Sequence, residues 1–151
     1  MSTRPRLRRV AALGPHGWGR IARTAVVARR IERSLRRETL DATARRFGAV
    51  LAFEPPREAD ALPALSAAER GELALAARVL QHRPFNGTCL RRALVFADIL
   101  RDRAPVLRVG VAKDGGEVTA HAWVELDGVS LDPMALERFT VLRAPELEAA
   151  R

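Results

Sequence analysis

Three residues in the C-terminal half of the chain have the types and order of a thiol-based catalytic triad: Cys89, His121 and Asp132. Cys89 is the only cysteine among 151 residues, and it follows the turn-forming residues 86–88, Asn-Gly-Thr. In the first turn of a helix, a cysteine lies at the positive end of the helix dipole, which favours the nucleophilic thiolate. The backbone N–H groups of that turn could also bind a developing oxyanion. A lone cysteine in this position is more often a small buried hydrophobic residue, so the assignment needs a base nearby.

A predicted hairpin would bring the histidine and the aspartate together. Residues 117–126 and 129–132 are typical of strands, and Asp127-Gly128 between them is typical of a two-residue turn. In that register Asp132 becomes a diagonal neighbour of His121 on the same side of the sheet. An aspartate bound to one imidazole nitrogen fixes the tautomer and leaves the other nitrogen to take a proton from a thiol.

Four further residues near this triad are candidates for supporting roles. Gln81 and Asn86 lie just upstream of the cysteine, and the amide of either could complete an oxyanion hole. Trp123 shares the side of the histidine, where it could pack against the imidazole or contact a substrate. Glu125 lies on the same side but is equally an exposed strand carboxylate.

A metal site is an alternative use of the same side chains. Cys89, His82 and His121 could ligate a zinc ion, but no closely spaced pair of ligands supports such a site. His16 lies in Gly-Pro-His-Gly, a sequence typical of a loop. We therefore predict neither a metal ion nor another cofactor.

Positive charge is concentrated in the N-terminal third. Residues 1–46 contain 13 arginines and three acidic residues, a net charge of +10, whereas the remainder carries 13 basic and 15 acidic residues, a net charge of −2. Such a cluster can neutralise phosphates, but only Trp18 and Phe47 are available there for stacking on bases. We expect no nucleic-acid partner, because solvated helix faces or attraction to an acidic peptide or protein explain the charge equally well.

Hydrophobic periodicity predicts helices first and strands after Pro105. Helices are predicted over 20–36, 39–48, from Ser66 to near Pro84, and 88–103; strands are predicted over 106–112, 117–126 and 129–132. Ser66 and Glu69 fit a capping box, Thr88 is a candidate N-cap, and Lys-Asp-Gly-Gly at 113–116 is a hairpin signal. The order predicts an α+β fold with N-terminal helices followed by an antiparallel β-meander.

Length and composition predict one compact domain. A chain of 151 residues can bury a core without disulfides. It contains no apolar run of about 20 residues that could span a membrane, and its basic start lacks the apolar core of a signal peptide. We expect a cytoplasmic protein without a membrane span, in which an Arg-rich helical region at 1–65 packs on a catalytic core at 66–151.

The segment 89–132 resembles the cysteine-protease domain of lasso-peptide biosynthesis B proteins, a branch of the transglutaminase-like fold. The matching elements are Cys89-Leu90, Ala93-Leu94, Gly110-Val111 and His121-Ala122-Trp123-Val124-Glu125. The resemblance implies a transglutaminase-like (papain-like) cysteine protease core. In that core Cys89 is the nucleophile, His121 the general base and acid, and Asp132 the orienting acid, although Asp127 lies close by.

The resemblance also implies a substrate and partners. Proteins of this family remove the leader from a ribosomally made precursor peptide and leave the core peptide to a separate ATP-dependent lasso cyclase. Some members carry a strand-rich leader-recognition domain ahead of the protease, and the helical residues before Ser66 leave no room for it. We therefore expect a stand-alone leader peptidase that works with a separate leader-recognition protein. The alternatives are amide or acyl transfer to an amine, which shares the first step, and a non-enzymatic basic module that binds peptides or nucleic acid.

Overall fold

The structure is a computed structural model that describes residues 14–54, 64–85, 87–114, 117–132 and 139–142. Its elements are, in chain order, α1 (Gly14–Leu35), α2 (Leu40–Arg46), β1 (Val50–Leu51), α3 (Ala67–Leu80), α4 (Cys89–Ile99), a 3-10 turn (Arg101–Arg103), β2 (Val106–Asp114), β3 (Glu117–Leu126), β4 (Val129–Ser130) and β5 (Thr140–Val141). Helices therefore precede most of the sheet, and the predicted α+β order is confirmed.

Side-chain caps start the two helices that lead to the site. The Ser66 hydroxyl accepts a hydrogen bond from the backbone of Glu69 at 3.1 Å, and the Glu69 carboxylate accepts one from the backbone of Ser66 at 2.6 Å. This is the predicted capping box of α3. Thr88 caps α4 by accepting from the backbone N–H of Arg91, and Cys89 is the first helical residue, as predicted.

Three helix boundaries differ from the prediction. α3 ends at Leu80 and not near Pro84. α1 begins at Gly14 and not near residue 20, because Pro15 is compatible with the first turn, where no intrahelical donor is needed. α4 ends at Ile99, and the last residues of the predicted helix form the 3-10 turn Arg101–Arg103. Ala104 then takes a positive φ of 47° and ends the helical path.

The sheet has the long hairpin β2–β3 at its centre. β4 pairs with β3, while β1 and β5 both pair with β2, β1 in parallel and β5 antiparallel. The predicted meander β2–β3–β4 is confirmed, and the central hairpin closes at the pair Asp114–Glu117. The glycines of its predicted turn, 115 and 116, lie outside the described residues. β1 and β5 were not predicted, because a two-residue strand carries no periodic pattern.

The second hairpin has the predicted turn and register. Asp127 and Gly128 take positive φ values of 52° and 81°, as a two-residue type I′ turn requires. Leu126 pairs with Val129. The N–H of Leu131 donates to the carbonyl of Val124 at 2.9 Å, which continues the same register past the end of β4 toward residue 132.

One core joins both predicted regions of the chain. It contains Ile31 from α1, Leu80 from α3, Leu94 from α4 and Val124 from β3. α4 contacts α1 and α3 on one side and both strands of the central hairpin on the other. The face of β3 that carries Val124 therefore packs on helices, and the opposite face carries His121. No helix within the described ranges has the length and apolar character needed to cross a bilayer.

Candidate functional site

His121 and Asp132 are joined by a direct hydrogen bond. Nε2 of the imidazole lies 3.0 Å from Oδ2 of the carboxylate. The two side chains are 18% and 28% exposed, so both can be reached from the surface. This is the diagonal contact that the hairpin register predicts. Because the carboxylate binds Nε2, the nitrogen that can exchange a proton with a reacting group is Nδ1.

Asp132 is held by two further residues that the sequence reasoning missed. The Ser130 hydroxyl accepts a hydrogen bond from the backbone N–H of Asp132 at 3.0 Å and donates to its carbonyl at 2.8 Å. Nη2 of Arg92 lies 3.6 Å from the same Oδ2 that binds the imidazole. A serine two residues before the aspartate is a recognisable turn signal, whereas the approach of Arg92 depends on how α4 packs on the hairpin.

Arg92 also relates this pair to the cysteine. Cys89 and Arg92 are three residues apart in α4 and therefore lie on the same side of the helix. Arg92 therefore brings this part of α4 within ion-pair distance of the carboxylate that binds the imidazole. Cys89 itself is partly buried against the hydrophobic core. Among the described residues, Asp132 thus binds both His121 and Arg92, whereas no hydrogen bond joins Cys89 to any of the three. The role of Cys89 as nucleophile stays a prediction.

The described contacts test neither of the two amides predicted for the oxyanion hole. Gln81 is the exposed C-cap residue of α3, and Asn86 lies outside the described residues, so both roles stay predictions.

Gly87 donates a backbone hydrogen bond to the carbonyl of Leu80 at 3.1 Å, which turns the chain back against the end of α3. A Cβ on Gly87 would lie 2.7 Å from that carbonyl oxygen, so the close approach requires glycine.

The imidazole of His121 stacks on two aromatic rings. Ring centroids are 6.1 Å apart for Trp123 and 4.8 Å apart for Phe139, with interplanar angles of 19° and 27°. Trp123 is only 2% exposed, so it can orient the imidazole but offers little surface to a substrate. Its predicted contact with substrate stays a prediction. Phe139 was missed, because no local pattern indicates that residues 139–142 return to β2.

Glu125 is buried, and the interpretation of it as an exposed strand carboxylate is wrong. It is 1% exposed and accepts hydrogen bonds from Nε of Arg108 at 2.9 Å and from Nε1 of Trp123 at 3.1 Å. Arg108 also donates to the carbonyl of Glu54, in the segment after β1. A buried carboxylate of this kind needs all of its partners, because an unpaired buried charge is strongly destabilising. The network fixes the indole that stacks on His121.

Gly110 makes room for that indole. It pairs with His121 across the β2–β3 ladder. A Cβ at this position would lie 2.9 Å from Cη2 and Cζ3 of Trp123 and 2.9 Å from the carbonyl oxygen of Thr140. The ring therefore lies directly over Gly110, where any side chain would occupy the same space.

A cleft of about 280 Å³ opens beside Asp132 between α3, α4 and the second hairpin. Its lining includes Arg92 and Phe96 from α4 together with Leu131 and Asp132. Its volume is close to the lower limit for small ligand sites, so it could hold a side chain or two of an extended peptide.

A zinc site is the alternative use of three of these side chains. Cys89, His82 and His121 all lie in the described ranges, and within those ranges no three His, Cys, Asp or Glu side chains group as metal ligands would.

The fold and the site together define an α+β protein in which an imidazole–carboxylate pair, His121 and Asp132, contacts the helix that begins at Cys89 through Arg92. A family model of the transglutaminase-like superfamily matches residues 4–144, and the chain belongs to that superfamily. Its members are generally enzymes that act as cysteine proteases or transferases. No curated protein and no solved structure matches the chain. The predicted transglutaminase-like fold is confirmed, whereas the finer resemblance to lasso-peptide B proteins stays a prediction.

Substitution of Gly110 tests whether the fit of Trp123 over this glycine supports the imidazole of His121. Gly110→Ala should lower the free energy of unfolding by about 1–3 kcal/mol, because the added methyl forces a buried ring or a strand to move. Urea denaturation measures the loss, and near-UV circular dichroism reports the changed environment of the indole.

Gly19→Ala is the matched control. Gly19 lies inside α1, and a Cβ there meets nothing within 4 Å. Alanine should therefore stabilise the protein by about 0.5–1 kcal/mol, the usual gain in a helix interior. Equal effects of the two substitutions, or an unchanged near-UV spectrum for Gly110→Ala, would contradict the described fit.

Proposed function

We propose that this chain is a cysteine peptidase that removes the leader peptide from a ribosomally made lasso-peptide precursor. The observation that supports it most is the hydrogen bond between His121 and Asp132 beside the helix that begins at Cys89. Membership of the superfamily supports thiol chemistry on an acyl group. The resemblance of residues 89–132 to the lasso-peptide B proteins supports hydrolysis of a leader peptide.

In the proposed first step, Cys89 attacks the carbonyl carbon of the scissile peptide bond. His121 takes the thiol proton at Nδ1, and Asp132 stabilises the resulting imidazolium through Nε2. Backbone N–H groups at the start of α4 offer hydrogen bonds to the oxyanion. Collapse of the tetrahedral intermediate breaks the C–N bond, and His121 returns the proton to the leaving amine. The product is a thioester between the leader and Cys89.

In the proposed second step, water attacks the thioester. His121 accepts a proton from that water, the C–S bond breaks, and Cys89 regains its proton. If an amine attacked in place of water, the same enzyme would be an acyltransferase, which the superfamily match supports equally. Identification of the released leader by mass spectrometry separates the two, because hydrolysis leaves a free carboxylate and transfer leaves an amide.

Loss of the thiol should abolish turnover. We expect Cys89→Ala to cleave no candidate precursor peptide in a chromatographic assay, while its far-UV circular dichroism and urea midpoint stay close to those of the wild type. The fold should survive, because the change removes one sulfur atom at a partly exposed position. Cleavage by Cys89→Ala at a rate near that of the wild type would remove Cys89 as the nucleophile.

The two aspartates of the second hairpin should differ in their importance. Asp132→Asn should slow cleavage by about two to four orders of magnitude, because an amide neither enforces the tautomer nor stabilises the imidazolium. Asp127→Asn is the control and should change the rate little, because its side chain is 69% exposed and Asn-Gly supports the same turn. Steady-state kinetics measure both variants; a reversed order of effects would rule out Asp132 as the orienting acid.

We also propose that a separate leader-recognition protein delivers the precursor, and that the released core peptide passes to the ATP-dependent lasso cyclase. Docking on residues 1–50 would raise the effective concentration of the cleavage site at Cys89. Exposed arginines on the C-terminal half of α1 and in the turn that follows it support this proposal: Arg29, Arg30, Arg33, Arg36 and Arg37.

The delivery proposal predicts a salt-dependent complex. Replacement of those five arginines by Gln should weaken binding of the recognition protein, and added salt should weaken the wild-type complex, since exposed charges are screened over about 8–10 Å. Titration calorimetry at two salt concentrations measures both effects. Cleavage at the full rate without the recognition protein would contradict delivery, whereas undiminished binding by the Gln variant would contradict docking through these charges.

A further inference from the structure

Two adjoining cavities on α1 are lined mainly by arginines. The first has a volume of about 400 Å³ and lies between α1, the segment that contains Phe85, and the first turn of α4. The second, of about 360 Å³, shares Arg29, Glu32 and Arg36 with the first and continues along α1. We call the two cavities together the arginine groove; it is lined by Arg29, Arg33, Arg36, Arg37 and Arg91, with Glu32 among them.

A carboxylate already occupies the middle of the arginine groove. Oε1 of Glu32 accepts hydrogen bonds from Nε and Nη2 of Arg36 at 3.0 and 2.8 Å, and Oε2 lies 2.5 Å from Nη2 of Arg91. The hydrogen bond from Arg36 lowers the pKa of Glu32, and Arg91 adds to the effect. The geometry of these guanidinium groups therefore suits a carboxylate. Among the described residues that line the groove, Arg29, Arg33 and Arg37 add positive charge beyond the two arginines that hold Glu32, which favours binding of a second carboxylate.

The arginine groove lies close to the reacting cysteine. Phe85 precedes Cys89 by one short segment, and Arg91 is in the first turn of the helix that Cys89 begins. Cys89 and Arg91 are about 3 Å apart along the helix axis but point to different sides of α4, so a peptide would pass around the start of the helix, a path of a few residues at about 3.3 Å each. A peptide bound for cleavage at Cys89 could therefore place a side chain a few residues from the scissile bond in the groove.

We propose that the arginine groove binds an acidic side chain of the peptide substrate within a few residues of the cleaved bond. This inference rests on the proposed function and names a feature of its substrate. Guanidinium pairs bind a carboxylate in two-point contacts, and the ring of Phe85 provides an apolar wall for its methylene groups. A recess of this size can hold a side chain or two of an extended peptide. Glu32 competes with the incoming carboxylate for Arg36 and Arg91.

Binding of two matched probe peptides tests the groove directly. The probes are fluorescein-labelled dodecapeptides, one of alternating Gly and Glu and one of alternating Gly and Gln, titrated into the wild-type chain and followed by fluorescence anisotropy. We expect the Glu peptide to bind more tightly. Arg36→Gln should weaken its binding by about threefold, the usual size of one exposed charge pair. Glu32→Gln should strengthen it by a similar factor, because the competing carboxylate is lost.

Arg30→Gln is the matched control, because Arg30 is exposed only six residues before Arg36, lines neither cavity and has the same charge. Equal losses for Arg30→Gln and Arg36→Gln, or weaker binding by Glu32→Gln, would overturn the groove as the site. Tighter binding of a dodecathymidylate than of the Glu peptide, with the same dependence on Arg36, would overturn the peptide as its ligand.

Cleavage of precursor peptides separates this inference from the proposed function. With a peptide that is cleaved, replacement of acidic residues near the cleaved bond by their amides should raise KM and leave kcat little changed. If these replacements left cleavage unchanged, the groove would not bind an acidic side chain of the substrate, but the proposed peptidase activity would stand. Arg36-dependent binding of acidic peptides by a chain that cleaves no precursor would overturn the peptidase and leave the groove as a binding site for acidic peptides.

Discussion

The buried ion pair between Arg108 and Glu125 determines where the candidate base stands. Glu125 binds the indole of Trp123, and that ring, lying over Gly110, forms one of the surfaces against which His121 stacks. Arg108 in turn reaches the carbonyl of Glu54, so the segment after β1 is tied to the same network. The cost of burying the charges of Arg108 and Glu125 is offset only if each of their hydrogen bonds is made. Trp123, which Glu125 binds, and His121, which stacks on Trp123, are therefore held in one position. The imidazole is thereby fixed from below by a network that takes no part in proton transfer.

The second constraint comes from the helix that begins at Cys89. Its middle, at Leu94 and Ala97, is fully buried between α1 and the sheet, while its first turn carries the cysteine and Arg91 and, just beyond, Arg92. Packing of α4 thus sets the distance of the Cys89 thiol from the sheet. The ion pair between Arg92 and Asp132 joins the same helix to the second hairpin. The short β4 contributes as well, because its pairing with β3 ends at Ser130, whose hydroxyl then turns the chain to present the carboxylate.

Local signals in the sequence predicted much of this arrangement, and long-range contacts account for what they missed. The Asp-Gly turn specified the register of the second hairpin, and from it the His121–Asp132 contact followed by alternation alone. The capping residues Ser66 and Thr88 marked two helix starts for similar reasons. Phe139, Arg92 and the burial of Glu125 depend on partners distant along the chain, and no pattern of neighbours encodes them. The sequence indicated Gly110 only through a family resemblance. The reason that glycine is needed there is the ring of Trp123 from the next strand, and the pairing of the two strands shows it.

The fit of Trp123 over Gly110 makes those two positions interdependent in evolution. A larger residue at 110 fits without strain only with a smaller one at 123 and a shift of the chain at Thr140, and loss of the indole would leave a buried carboxylate oxygen of Glu125 without its donor. A third change at 125 would then be needed, and with it a new partner for Arg108. Single substitutions at these positions are therefore destabilising. In evolution these residues can change only when several of them change together. The face that supports the imidazole is thus expected to be inherited as one unit, while the arginines of α1 remain free to change one at a time.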